Sequence, residues 1–225
     1  MDFGFAAYLA AAAALVASHA VLSAPNVRPA LIRGLGRPGF YAAYSALSFA
    51  ALGAFVWTYA AVGSGFQLYQ PLPGARLAVI ALMPVAVFLV TGRITTPYGA
   101  PEAPRPAYGV YRICRFPGSV GLLLWAVLHL LNMGDARRTV LFATMALISV
   151  LALIKNQRLR RASARADGDA DFADTRLVPF SAILAGRQRL VWREIGWRRL
   201  ALTLAVYFAL LFGHPYLIGV DPLAF

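Results

Sequence analysis

The stretch FGFAAYLAAAAALVASHAVL, residues 3–22, decides the class of fold. It is 20 residues long and contains no acidic residue, lysine or arginine, with His19 near its end. A helix of about 20 apolar residues crosses the hydrocarbon core of a bilayer, because each residue adds about 1.5 Å. The stretch therefore predicts a transmembrane helix, and the rest of the chain repeats this pattern.

The composition of the whole chain is that of a membrane protein. Of its 225 residues, 60% are hydrophobic and 13% are charged, and the mean hydropathy is +0.66. These values lie outside the usual range of soluble domains. We expect an all-α, polytopic bundle of six transmembrane helices that forms one domain over residues 1–225. The six apolar segments are 3–22, 40–62, 77–91, 117–133, 139–154 and 200–220.

Basic residues alternate between the loops and predict the orientation. The first, third and fifth loops carry 18 of the 21 lysines and arginines. Basic loops stay on the cytoplasmic side, so both termini are expected in the periplasm of a bacterial inner membrane. Because the net charge of +12 is spread over these loops, we expect a lipid bilayer as partner and no nucleic acid.

The longest basic loop, residues 156–199, has three parts. Arg158 to Arg165 continue the fifth span as a basic stalk, and residues 166–174 are acidic. The stretch 177–197 mixes apolar side chains with arginines and two tryptophans. This composition predicts an interfacial helix in the headgroup layer, and an ordinary cytoplasmic loop is the alternative.

All three histidines lie in or beside apolar segments, where ionisable side chains usually mark a functional site. The fourth segment has the most informative pattern, because five residues share one helical face: Gly118, Gly121, Trp125, His129 and Asn132. Such a face accommodates either a flat ligand or close helix packing, and both interpretations remain open. His214 precedes Pro215 near the end of the sixth segment and is interpreted as an interface anchor.

Two helices with small side chains, each carrying a histidine, can hold a flat macrocycle between them. His19 and His129 are then the candidate axial ligands of a haem iron, and Trp125 and Asn132 lie on the pocket face. The candidate propionate partners are Arg28, Arg112 and Arg115. At 1.5 Å per residue, His19 lies about 6 Å and His129 about 18 Å from the cytoplasmic end, so one haem requires tilt or re-entry. Hydrogen bonding between helices, without a cofactor, is the alternative.

Other chemistries lack the residues they need. The apolar segments contain no Asp or Glu for a proton pathway, and no HExxH, GxSxG or phosphate-binding glycine loop occurs. Cys114 is the single cysteine, which excludes an internal disulfide and a multi-cysteine metal site.

The run from Arg115 to Asp135 resembles the NnrU family, with its Arg-His-Pro entrance followed by Trp-Ala-x-x-His-Leu-x-x-Asn. The resemblance includes Ser18-His19, the stretch 179–187 and the His-Pro-x-Leu-x-Gly-Val ending at 214–220. It implies an inner-membrane protein with an accessory or regulatory role in denitrification and nitric oxide metabolism, next to a denitrification complex.

The family is similar to plant zeta-carotene isomerase, a haem b membrane enzyme with histidine axial ligands. That similarity implies haem b on His19 and His129. It also implies an alternative function, cis-trans isomerisation of an apolar polyene ligand. A cofactor-free scaffold or assembly factor is the third possibility.

One departure from the family pattern occurs at Phe116, which replaces the histidine of the Arg-His-Pro entrance. Membrane methyltransferases contain a similar entrance, so its loss weakens a methyltransferase interpretation. Both candidate axial ligands are kept.

Overall fold

The computed structural model describes residues 3–24, 26–97, 107–167 and 174–223, and helices are its regular secondary structure. Within these ranges, the one β-type pairing is an isolated bridge between Gln67 and Asp135. The all-α prediction is confirmed. The helices are α1 (Phe3–Leu22), α2 (Val27–Ala61), α3 (Ala75–Thr95), α4 (Val110–Ile113), α5 (Pro117–Asn132), α6 (Ala136–Asp167), α7 (Ser181–Leu184), α8 (Trp192–Ile195) and α9 (Trp197–Leu217).

Five of the described helices are long and apolar enough to cross a membrane, namely α1, α2, α3, α6 and α9. The apolar helix α5, with 16 residues, is shorter than this length. The protein is therefore a multi-pass helical membrane protein.

Helix ends follow the hydropathy pattern at some positions and depart from it at others. Helix α1 has the bounds expected from sequence, and α6 continues through the basic stalk to Asp167. Helix α2 begins at Val27, well before the apolar segment at residue 40, because a helix can continue into polar sequence. A kink divides α2 at Gly36, whose φ of 70° and ψ of 165° are non-helical. Pro38 follows, so the second part of α2 begins with a residue suited to a first helical turn.

The expectation of one interfacial helix over 177–197 is wrong. This stretch contains α7 and α8, each of four residues, and Phe180 and Gly186 have φ values of 64° and 70°. A helix cannot continue through these left-handed conformations, which lie before and after α7. The stretch instead docks through its backbone: the Arg115 N–H donates to the Arg176 carbonyl at 2.8 Å, and the Phe180 N–H donates to the Ile113 carbonyl at 2.9 Å.

Helix α5 lies close against α3, and a glycine permits this approach. A Cβ atom at Gly121 would lie 2.8 Å from the Ala86 carbonyl oxygen and 2.9 Å from the Leu89 Cβ. Small residues are enriched at such membrane helix contacts because they let two backbones come together. The Gly121 contact fixes the position of the histidine two turns further along α5.

Two other interfaces complete the bundle. On one side, α1 packs against α2 and α6, and the rings of Tyr8 and Phe55 stack with centroids 5.1 Å apart. On the other side, α9 packs against α3. There, the Thr91 and Thr203 hydroxyls are 2.8 Å apart, and the Tyr207 hydroxyl donates to the Ile80 carbonyl at 3.0 Å. Helix α9 is thus positioned beside α3 and α5.

Candidate functional site

His129 and His214 lie in the same cavity, which is formed by α3, α5 and α9. Their ring centroids are 6.4 Å apart and their planes differ by 16°. The cavity has a volume of about 170 Å³. His129 is buried, and its ring also contacts Phe142 of α6, stacked with centroids 4.3 Å apart, and Trp125, with centroids 5.0 Å apart. The remaining wall includes Met83, Trp125, Asn132, Arg76, Arg138 and Asp221.

All three histidines have the same hydrogen bond to their own helix. The Nδ1 atom of His129 is 2.8 Å from the Trp125 carbonyl oxygen, and that of His19 is 2.9 Å from the Leu15 oxygen. His214 makes the equivalent bond to Leu210. A carbonyl oxygen can only accept, so the geometry assigns the proton to Nδ1. Each neutral ring then keeps a lone pair on Nε2, the arrangement found in metal-ligating histidines.

His19 lies in a second cavity, of about 420 Å³, between α1, α2 and α6. The residues of α6 that contact each site show how far the His19 cavity lies from His129. His129 stacks on Phe142, whereas the His19 cavity contacts α6 from Ile148 to Leu159. These residues are 6 to 17 positions further along, or about 9 to 25 Å at 1.5 Å per residue. Two ligands of one metal have nitrogens about 4 Å apart, so the structure does not bring His19 and His129 together.

The three candidate propionate partners separate as well. Arg28 lines the His19 cavity, and its guanidinium donates to the Tyr41 hydroxyl at 3.1 Å. Arg112 and Arg115 line neither of these two cavities. They hold the polar loop layer, which we define as residues 107–115 and 174–196.

Arg112 forms a two-pronged pair with Glu194 in this layer. The Arg112 Nε and Nη2 atoms donate to the carboxylate at 2.7 and 3.0 Å, and the Gly109 N–H donates to it at 2.8 Å. The bonds from Arg112 hold the pKa of Glu194 below its usual value. Arg115 is buried and donates to the Thr175 hydroxyl at 2.9 Å and to Gln157 at 3.1 Å. Both arginines are therefore engaged in joining loop segments.

The shared face of α5 serves two purposes. Its first part packs against α3, because Gly121 contacts the α3 backbone and Gly118 lies against Arg93. Its second part, which begins at Trp125, lines the cavity with His129. Helix packing therefore accounts for the glycines, and the cavity begins one turn beyond them.

Sequence reasoning treated His214 as an anchor and missed its place beside His129. A usable signal was present. His129 lies four residues before the end of the predicted segment 117–133, and His214 lies six residues before the end of 200–220. The pattern of basic loops predicts the same direction for both segments, and therefore similar depths for the two histidines. Arg76, Arg138 and Asp221 in the cavity wall were also missed.

The fold and this cavity define a multi-pass helical membrane protein with a histidine pair between its helices. The chain belongs to the NnrU family: the family model described as NnrU protein matches residues 8–222. Comparison with curated proteins and with solved structures gave no match.

Proposed function

We propose that this NnrU-family protein binds haem b in the membrane through His129 and His214. The observation that carries the proposal is the position of the two rings in one cavity, 6.4 Å apart and nearly parallel. Two imidazoles that bound one metal ion, each with its nitrogen about 2 Å from it, would have ring centroids at most roughly 6 to 6.5 Å apart. The Nδ1 bonds to Trp125 and Leu210 leave both Nε2 atoms as ligands.

The number of donors favours haem over a metal ion bound by protein alone. A structural zinc site takes four protein ligands, whereas haem would take only one or two from the protein. Across the described ranges, no group of three His, Cys, Asp or Glu residues is positioned to hold a metal. The His129 and His214 pair therefore suits haem.

The volume of the cavity sets a condition on haem binding. At about 170 Å³ it is smaller than ligand sites of roughly 300 to 1,000 Å³. A macrocycle would therefore fit only if the side chains around the two rings moved aside while α9 kept its Thr91–Thr203 and Tyr207–Ile80 contacts with α3, which preserve the spacing of the rings.

The chain would contribute ligands, charge and exclusion of water at this site. Bound haem supplies a redox-active iron. Arg76 and Arg138 line the cavity wall, Arg138 with its Nε 2.9 Å from the Asp135 carboxylate, and would be the nearest cations for propionates. They take the role that sequence analysis gave to Arg112 and Arg115. Membership of the NnrU family supports an accessory or regulatory role in denitrification and nitric oxide metabolism, and haem-dependent isomerisation of a polyene is the alternative.

The topology proposed with this function has six spans and both termini in the periplasm of a bacterial inner membrane. In this topology α5 is the fourth span, added to the five long apolar helices; its 16 residues extend about 24 Å, somewhat less than a hydrocarbon core of about 30 Å. The alternation of basic loops supports this arrangement. The bilayer must be thinner around α5, or polar residues at its ends must reach outward to the interface.

Optical spectroscopy of purified protein, expressed with added haem precursor, tests the proposal. We expect a Soret band in the wild type that is lost or shifted in His129→Ala and in His214→Ala. Added imidazole should restore the wild-type spectrum of both variants. His19→Ala is the matched control and should keep the Soret band.

A wild type without a Soret band would overturn haem binding and favour a cofactor-free scaffold. Loss of the band in His19→Ala and His129→Ala, but not in His214→Ala, would instead support the ligand pair expected from sequence. Conversion of a cis polyene by the reduced protein, absent from His129→Ala, would support the isomerase alternative.

A further inference from the structure

The cavity beside His19 has the size and charge of a site for an amphiphilic anion. Its volume of about 420 Å³ lies within the range of about 300 to 1,000 Å³ for small-molecule sites. Arg28, Lys155 and Arg158 line it, and its lining residues include no Asp or Glu. The cavity therefore offers a compact positive field, which haem binding at His129 and His214 does not use.

The polar and apolar parts of the cavity are separated. Lys155 donates to the Ser23 hydroxyl at 3.3 Å, just beyond the end of α1. Lys155 and Arg158 are three positions apart on α6, so both face the same side. The apolar part of the wall consists of alanine, leucine and isoleucine side chains, and Ile154 at its edge is 45% exposed. A ligand with a charged head and an apolar tail matches both parts.

The depth of the cations corresponds to the headgroup layer. Lys155 lies 19 residues after the first residue of α6, Ala136, or about 28 Å along the helix. This is close to the thickness of the hydrocarbon core, about 30 Å. Arg137 and Arg138 follow Ala136 directly. If Ala136 lies at one membrane boundary, then Lys155 lies at the other. The three cations are then level with lipid phosphates.

We propose that this cavity binds the phosphate headgroup of an acidic glycerophospholipid, such as phosphatidylglycerol. Arg28, Lys155 and Arg158 contact the phosphate, and an acyl chain lies along the apolar wall of α6. Basic pockets between membrane helices on the cytoplasmic side recognise acidic lipids in this way. Phosphate suits the site because several cations can bond to its oxygens at once.

Lipid binding to delipidated protein in detergent tests this inference. Native mass spectrometry counts retained lipids, and thermal unfolding measures stabilisation by phosphatidylglycerol, phosphatidylcholine or inorganic phosphate at equal concentration. We expect stabilisation by phosphatidylglycerol alone. The double variant Lys155→Gln/Arg158→Gln should bind it about 25-fold more weakly, at about fivefold for each cation removed.

The double variant Arg161→Gln/Arg165→Gln is the matched control, since it removes the same charge from α6 outside the cavity. We expect it to retain binding within about twofold. Equal weakening in both double variants would show attraction to general charge and overturn the site. Arg158→Gln alone, which changes an exposed side chain, serves as the second variant if the double variant does not fold.

A steric variant separates lipid from free anion. Ala152→Phe fills the apolar part of the cavity and should weaken phosphatidylglycerol binding without changing any charge. Stabilisation by inorganic phosphate equal to that by phosphatidylglycerol, unaffected by Ala152→Phe, would overturn the lipid assignment and indicate an anion site. These measurements need no haem, so their outcome is separate from that of the Soret test.

Discussion

Replacing Gly121 by alanine should separate α3 from α5 measurably. The new Cβ would lie 2.8 Å from the Ala86 carbonyl oxygen and 2.9 Å from both the Leu89 Cβ and the Val90 Cγ2. The first two atoms belong to the backbone or are fixed directly to it, so no rotamer change can relieve the contact. The helices themselves must move apart by several tenths of an ångström.

Two opposing effects determine the size of the change. Overpacking a tight contact destabilises by about 1–3 kcal/mol, while a glycine-to-alanine change in a helix gains about 0.8–1.0 kcal/mol. Gly53→Ala in α2 supplies the control, because its Cβ would meet nothing within 4 Å and only the gain applies. The difference between the two variants therefore isolates the steric effect, about 1–3 kcal/mol.

Thermal unfolding followed by far-UV circular dichroism in one detergent measures this difference. For a chain of this size, 1 kcal/mol corresponds to about 2–4 °C. Gly121→Ala should thus melt about 2–12 °C below Gly53→Ala. Gly118→Ala should fall between them, because its Cβ would lie 3.0 Å from the Arg93 Cγ, part of a flexible side chain. Equal melting temperatures for Gly121→Ala and Gly53→Ala would refute the close α3–α5 contact.

Two further results are expected. Arg112 lowers the pKa of Glu194, so their pair contributes its full stability above the unfolded-state pKa of Glu194. This stability is lost as the pH falls through the lowered pKa of the folded state. The melting temperature should therefore decline below about pH 4.5, and Glu194→Gln should reduce this decline. The Thr91–Thr203 bond of 2.8 Å should give a coupling of about 0.6 kcal/mol in a double-mutant cycle with valine, and a coupling near zero would show that the bond does not hold α9.

Hydropathy predicts which segments enter the membrane better than it predicts where helices end. The bounds of α1 were predictable because polar residues flank a long apolar run. The first part of α2, from Val27 to Leu35, was missed because a helix outside the hydrocarbon core has no need of apolar side chains. The kink at Gly36 depends on a backbone conformation that composition does not encode.

The candidate site was predictable in its chemistry and only partly in its partners. A histidine among apolar residues indicates a site, and His129 was identified in that way. The partner of His129 depends on which helices become neighbours. That arrangement follows from the contact of Gly121 with α3 and from the packing of α9 against α3. Neither contact leaves a periodic pattern in the sequence. The similar depths of His129 and His214 were the one feature that could have indicated the pair. This feature was not used because His214 was interpreted as an interface anchor.

Helix α6 connects the two cavities and keeps them apart. Phe142 stacks on His129 about 9 Å from the start of α6, and Lys155 lies about 28 Å from it. One haem cannot join positions about 20 Å apart along α6, so the effects of variants should separate. His214→Ala should remove the Soret band and leave lipid retention unchanged, whereas Lys155→Gln/Arg158→Gln should do the reverse. If either variant altered both measurements, α6 would transmit changes between the sites, and the two cavities would have to be treated as one coupled unit.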